Sequence, residues 1–259
     1  SRPDRVPPKQ ETTMSLSLDH VVIAVRDLAG AVADYEALGF TVVPGGEHTH
    51  GASHNALIVF ADGAYVELIA FRRPNPEFRW WRVLSEAGDG LVDFALLPGD
   101  IAADVVAAKA RGLDLEGPTE GGRLRPDGQR LEWRTARAAT SDLPFLCGDV
   151  TPRHLRVPEG DVRRHANGAF GVVGIEIAVE NTQVSAWRYG ALLGTQPGAP
   201  IDLGNGQSVS LAGPDRAGAA LAARGEGPVS LTLRVAPGSA VGDLDPVRTR
   251  GVRITRADG

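Results

Sequence analysis

The sequence predicts an α+β fold built from tandem βαβββ modules, and three observations predict it. The chain writes one stretch twice. LDHVVIAVRDLAGAVADYEALGF from Leu18 and LVDFALLPGDIAADVVAAKARGL from Leu91 align without a gap at an offset of 73 residues. Self-similarity at a fixed offset marks a duplicated supersecondary unit. Each copy also reads as an apolar strand, a short turn, an Asp-capped alanine-rich helix and a glycine stop, Gly39 or Gly112. Finally, the pairs Asp62-Gly63 and Asp127-Gly128 separate β-rich runs in the manner of hairpins.

Taken in order, the first repeat continues into strands at 41–43, 54–60 and 64–71, which makes a βαβββ unit over roughly 17–72. Residues 72–89 form a connection in which Pro74 and Pro76 precede a short helix. The second unit runs from 90 to about 149, with a helix at 101–111 and strands at 121–125, 129–137 and 143–147. A third opening, VVGIEIAV from Val172, leads to a helix at 185–193, a stop at Gly194 and a hairpin around Asn205-Gly206. A fourth opens with VSLTLRV from Val229 and is expected to place a helix near 240–250, before Gly251. The expected organisation is therefore an N-terminal extension at 1–15, either flexible or foreign to the native chain, and a complete module pair at 16–150. A polar linker at 151–168 and a shortened second pair at 169–259 follow.

Composition narrows the partners. At 259 residues the chain is long enough to bury a large core, and 42% hydrophobic with 23% charged residues is ordinary for a globular protein. A net charge of −5 gives no basic footprint, so nucleic acid is not an expected partner. No apolar run reaches the roughly 18 residues that span a bilayer, and no signal-peptide core is apparent. A single cysteine, Cys147, allows no internal disulfide framework and fits a reducing compartment, with the cytoplasm as the default. Cys147 reads as an inert buried thiol, and Trp133 and Trp187 read as core.

Tandem modules opening with LDHVVIAV, followed by PGGEHTHGASHNALI and YVELIAF, resemble the vicinal oxygen chelate superfamily, in particular its uncharacterised glyoxalase-like branch. The resemblance is strongest over 16–72 and only architectural beyond 168. It implies that two modules pair their curved mixed sheets into a cup with a small-molecule site inside. It also implies metal ligands on the first and fourth strands of each module. In module one those positions are His20 and Glu67; in module two they are Asp93, by the ungapped repeat, and Gly148.

The residues themselves support part of this. Strand alternation puts His20 on a face with Val22 and Ala24, and Glu67 on a face with Tyr65 and Ile69. A carboxylate in so apolar a strand is costly unless it is paired, hydrogen-bonded or metal-bound. One imidazole and one carboxylate suit Zn²⁺, Fe²⁺, Mn²⁺ or Ni²⁺ but are too few alone, and Asp93 is the nearest completion. The expected assignments are His20, Glu67 and Asp93 as metal ligands, with Glu67 and Asp93 also catalytic. His54, Asn55, Trp80 and Trp81 are expected to contact substrate; of the adjacent tryptophans only one can face the core side of a helix, and the other is expected to cover the mouth of the cup or a partner surface. His48 and His50 are expected at the surface. Thr232, Gly174 and Ser210 stand at ligand positions of the third and fourth units and make no second metal centre.

Two functions follow from the resemblance. One is metal-assisted isomerase, lyase or epimerase chemistry on an oxygenated carbonyl compound, or ring cleavage if the ion is Fe²⁺. The other is a metal-free binder of an antibiotic or aromatic metabolite, in which Glu67 hydrogen-bonds within the protein. A small molecule is the expected partner in both, and a homodimer stays open.

Overall fold

The computed structural model describes residues 16–258; the expected extension at 1–15 lies outside the described residues. Module one consists of β1 (Ser17–Ala24), α1 (Leu28–Ala37), β2 (Val43–His48), β3 (Ser53–Val59) and β4 (Tyr65–Phe71). After α2 (Arg79–Ala87), module two repeats the order with β5 (Gly90–Leu97), α3 (Ile101–Ala110), β6 (Glu116–Leu124), β7 (Arg130–Arg137) and β8 (Phe145–Asp149). The caps are those that the repeat implies. Asp27 accepts the backbone N–H of Gly30, and Asp100 accepts those of Ala102 and Ala103.

The eight strands close into a barrel in the order β1-β4-β3-β2-β6-β7-β8-β5. The seam between β1 and β5 carries the duplication in its register. His20 pairs with Ala95 and Val22 with Asp93, while Leu18 pairs with Leu96 and Ile23 with Leu91. Applying the 73-residue offset turns each pair into its counterpart, so the modules are related by a local two-fold axis.

β1 and β5 are buried on both faces, which explains their nearly continuous apolar runs. Inward, Val22, Ala24 and Ala95 pack with Trp80, Phe145 and Cys147. Outward, Val21, Ile23, Phe94 and Leu96 join the main core. That core continues into a six-stranded sheet, where Ile175, Ile177, Leu231 and Leu233 supply its other side.

This sheet is built from β9 (Ala169–Ala178), β10 (Ile201–Gly204), β11 (Gln207–Ala212), β12 (Gly227–Val235), β13 (Gly242–Asp243) and β14 (Arg253–Asp258), in the order β10-β11-β9-β12-β14-β13. A helix, Thr182–Leu193, follows β9 as expected; another, Pro214–Arg224, leads into β12. β11 runs parallel to β9 as β4 does to β1, and β14 runs parallel to β12 as β8 does to β5. The helix expected near 240–250 does not form. Pro246, with no N–H to donate, falls inside that stretch, and residues 246–251 are turns that bring β14 back beside β12.

Residues 151–168 also differ from a plain solvated linker. They carry a short helix, Arg153–Arg156, and a 3₁₀ turn, Gly160–Arg163. Arg156 is only 2% exposed. Trp187, expected in the core, is half exposed on its helix.

Candidate active site

A cavity of about 500 Å³ opens into the barrel. Its polar end is set by β1 and β4. Their parallel register places His20 opposite Tyr65 and Val22 opposite Glu67, so one face of the two strands presents all three polar side chains. His20 stacks on the Tyr65 ring at 4.6 Å, with the planes 13° apart.

His20 is held by its neighbour in sequence. Its Nδ1 lies 2.6 Å from Asp19 Oδ2. Burial alone would raise the Asp19 carboxyl, but the Arg156 guanidinium and the hydrogen bond to His20 hold it well below the usual carboxylate range. Asp19 is therefore an acceptor, and Nδ1 donates. The other ring nitrogen, Nε2, stands 3.7 Å from Glu67 Oε2.

The other oxygen of Glu67 has different neighbours. Oε1 accepts a 2.6 Å hydrogen bond from Asn55 Nδ2 and stands 3.6 Å from His48 Nε2. His48 in turn holds Ser53 Oγ at 2.9 Å through Nδ1. Burial lowers the pKa of His48, against the opposing pull of Glu67. Asn55 Oδ1 accepts from Arg123, whose second amino group donates to the Arg156 carbonyl at 2.9 Å. Arg123 is 3% exposed, and its Nε has no hydrogen-bond partner. Burial lowers its pKa from the ordinary arginine value.

The far end of the cavity is aromatic and cationic. Phe78 and Trp80 form its walls with Arg137 beside them, while Phe145, 5.4 Å from the His20 ring, and Trp133, 6.0 Å from the His48 ring, reach back to the polar end. Trp80 Nε1 donates to Asp93 Oδ2 at 2.8 Å. Arg79 and Arg137 lie 3.2 and 3.6 Å from the same oxygen, and Asp93 Oδ1 accepts the backbone N–H of Phe94.

The expected residues therefore divide. His20, Glu67, Asn55 and Trp80 stand on the cavity wall. Asp93 is covered by Trp80 and neutralised by arginines. His54, one residue from Asn55, points to the opposite side of β3 and faces an outer groove beside α1, near Arg72 and Glu47. Trp81 packs on Phe71 at 5.6 Å, away from the cavity lining. His48, expected at the surface, instead turns inward from the end of β2 with its side chain 12% exposed. Trp133, read as core, is a wall residue. Arg123, Arg137 and Arg156, which nothing local in the sequence distinguishes from surface arginines, also stand on the cavity wall.

Gly148 is not the counterpart of Glu67. Ala95 pairs with Phe145 as Val22 pairs with Glu67, so Phe145 occupies the acidic position of module two. Gly148 faces outward; a Cβ there would stand 3.2 Å from Pro98 Cγ and 3.4 Å from Ile101 Cβ.

The metal set expected from the resemblance does not fit these positions. Asp93 is committed to Trp80, Arg79 and Arg137. The two imidazoles flank opposite oxygens of Glu67 instead of converging on one point. Among the described residues, no three His, Cys, Asp or Glu side chains group as ligands of one ion. None of the described helices is long and apolar enough to cross a membrane.

Comparison with known proteins gives the fold its place. No curated protein matches the sequence. Among solved structures, a hypothetical protein from Staphylococcus aureus superposes with a TM-score of 0.74 at 13% identity, over 94% of this chain and 100% of that one. A mutant of 4-hydroxymandelate synthase from Streptomyces coelicolor superposes with a TM-score of 0.62 at 13% identity, over 90% of this chain and 78% of that one. At such identities the likeness is one of fold. The model of the glyoxalase-like domain matches residues 18–193, which spans the whole barrel and the first helix of the second sheet. With the paired βαβββ modules and their two-fold register, this match makes the chain a member of the glyoxalase-like domain family, within the vicinal oxygen chelate superfamily.

Proposed function

We propose that the barrel cavity is the active site of an enzyme that moves a proton on a carbon beside a carbonyl group, as an isomerase, lyase or epimerase does. The observation that carries this reading is the Glu67 carboxylate, 5% exposed, with His20 Nε2 3.7 Å from one oxygen and His48 Nε2 3.6 Å from the other. A base in this position can take a proton from carbon. His20, steadied by Asp19, can accept one from a substrate hydroxyl or return one to the neighbouring carbon. Arg123 lies in the same wall, where low dielectric strengthens its attraction for an enolate oxygen. No step is routed through a metal ion, because the expected ligands do not converge.

The test is solvent exchange. Carbonyl compounds with an acidic C–H would be incubated with the protein in D₂O and followed by proton NMR. Glu67→Gln should slow exchange by roughly 10²–10⁴-fold while leaving the fold intact. Equal exchange in wild type and Glu67→Gln, or none by either, would sink the enzyme reading.

The 2.6 Å bond from Asn55 to Glu67 favours a second reading, a binding protein that satisfies its buried carboxylate internally. Tight binding of a small molecule without any exchange would decide for it.

A further inference from the structure

The cavity has two poles, and the second suggests what it binds. At one pole stand Glu67, His20 and His48. At the other, two guanidiniums, Arg79 and Arg137, share the single carboxylate of Asp93. Together the three side chains carry a net charge of +1, and the Arg137 guanidinium also lies over the Phe145 and Trp80 rings. Arg79 turns an amino group to the Val92 carbonyl, outside the cavity lining, so of these two arginines Arg137 is the one that faces the cavity. Its side chain is 36% exposed and so reachable. Glu116 and Glu120 also line the opening but are exposed, where water screens them, and neither forms an ion pair with Arg137.

The ring of Phe145 joins the poles. It stands 5.4 Å from the His20 ring, edge-on, and 4.8 Å from the Arg137 guanidinium. Trp80 adds a second ring 5.7 Å from Phe145 and 5.8 Å from Arg137. A flat molecule lying along Phe145 and Trp80 would meet Arg137 at one end and Glu67 at the other.

We infer that the ligand of this cavity is an aromatic monocarboxylate, with its carboxylate on Arg137, its ring against Trp80 and Phe145, and its reactive group toward Glu67 and His20. The inference rests on the reading of the cavity as a small-molecule site. The chemistry favours a carboxylate over a neutral polar group because a guanidinium forms charge-assisted, two-point bonds with it. A net charge of +1 at this pole matches one anionic group.

The experiment compares acids with their uncharged twins. Benzoate and 3-phenylpropanoate would be titrated against benzamide and 3-phenylpropanamide by calorimetry and tryptophan fluorescence, since Trp80 and Trp133 line the cavity. Wild type should prefer each acid by on the order of ten-fold, a preference that falls as salt is raised. Arg137→Gln should bring the ratio close to one, and Arg137→Lys should keep part of it. Acids and amides binding wild type alike would overturn the anion assignment and leave the cavity reading standing. Binding of neither class would overturn both. A preference that survives in folded Arg137→Gln would also overturn the assignment. Should that variant fail to fold, the wild-type ratio and its salt dependence decide alone.

Discussion

Asp93 accepts the Trp80 indole N–H at 2.8 Å, and that bond holds the residue that the repeat aligns with His20 away from the polar end of the cavity. The two positions have diverged because their surroundings differ. His20 has Asp19 behind it and Glu67 across from it. Asp93 has two arginines and an indole. Replacing Asp93 by Leu would strand all three donors, and a loss of about 3–5 kcal/mol in stability is expected by denaturant unfolding. Asp93→Asn retains an acceptor for Trp80 and should cost less. A stoichiometric divalent ion that raises the melting temperature of wild type but not of Asp93→Asn would restore Asp93 to a coordination role.

The strands, caps and duplication were legible because they are local: periodicity, an Asp before each helix and a glycine after it. His20, Glu67 and Asn55 were legible as polar residues interrupting apolar strands. The rest depends on register and on distance along the chain. Whether Phe145 or Gly148 matches Glu67 turns on where β8 begins relative to β5, and an odd slip reverses every side chain. His48 sits at the end of β2 among glycines, where alternation carries no signal. Arg123 and Arg156 come from β6 and from residues expected to be a linker, and only the closed barrel brings them to Asn55 and Asp19.

The ion pair between Asp19 and Arg156 is a second expected point of weakness. Arg156 Nη1 donates to Asp19 Oδ2 at 2.8 Å and to the Tyr65 hydroxyl at 2.8 Å. Arg156→Met would leave Asp19 buried with only His20 and Arg153, at an expected loss of about 3 kcal/mol. Pairing it with Asp19→Asn should recover part of that, since the fully buried charge is gone while Asp149, the other carboxylate that Arg156 pairs, keeps only Arg153. Asp19 has a depressed folded-state pKa, so its contribution is present above the unfolded value of 3.8 and is lost as pH falls through the lower folded one. Wild type and Asp19→Asn should accordingly converge in stability at strongly acid pH.

Cys147 should be silent toward thiol reagents. It is 3% exposed, and burial pushes its thiol up to about 12. Little thiolate is then present at pH 8. A disulfide reagent added to native protein should react at the rate of unfolding, and promptly once denaturant is added. Fast stoichiometric labelling of the folded protein would show that the cavity opens to expose it.

His165 gives the fold a pH dependence with a definite sign. Its Nδ1 accepts the Thr41 N–H at 3.0 Å, and its Nε2 donates to the Val59 carbonyl at 3.0 Å. Only the neutral ring can make both bonds, because a proton on Nδ1 would face another donor. Burial lowers the pKa of His165 from 6.5, against the pull of the Val59 carbonyl. The unfolded chain therefore binds the proton more readily than the folded one, so stability is fully present above pH 6.5 and is lost as pH falls from there toward the folded-state value. His48 is shifted in the same direction, also mainly by burial, and adds to the loss. Unfolding midpoints measured from pH 8 to pH 5 should fall through this window, and less steeply in His165→Gln. Identical profiles for the two proteins would show that His165 takes up its proton as readily in the fold as in the unfolded chain.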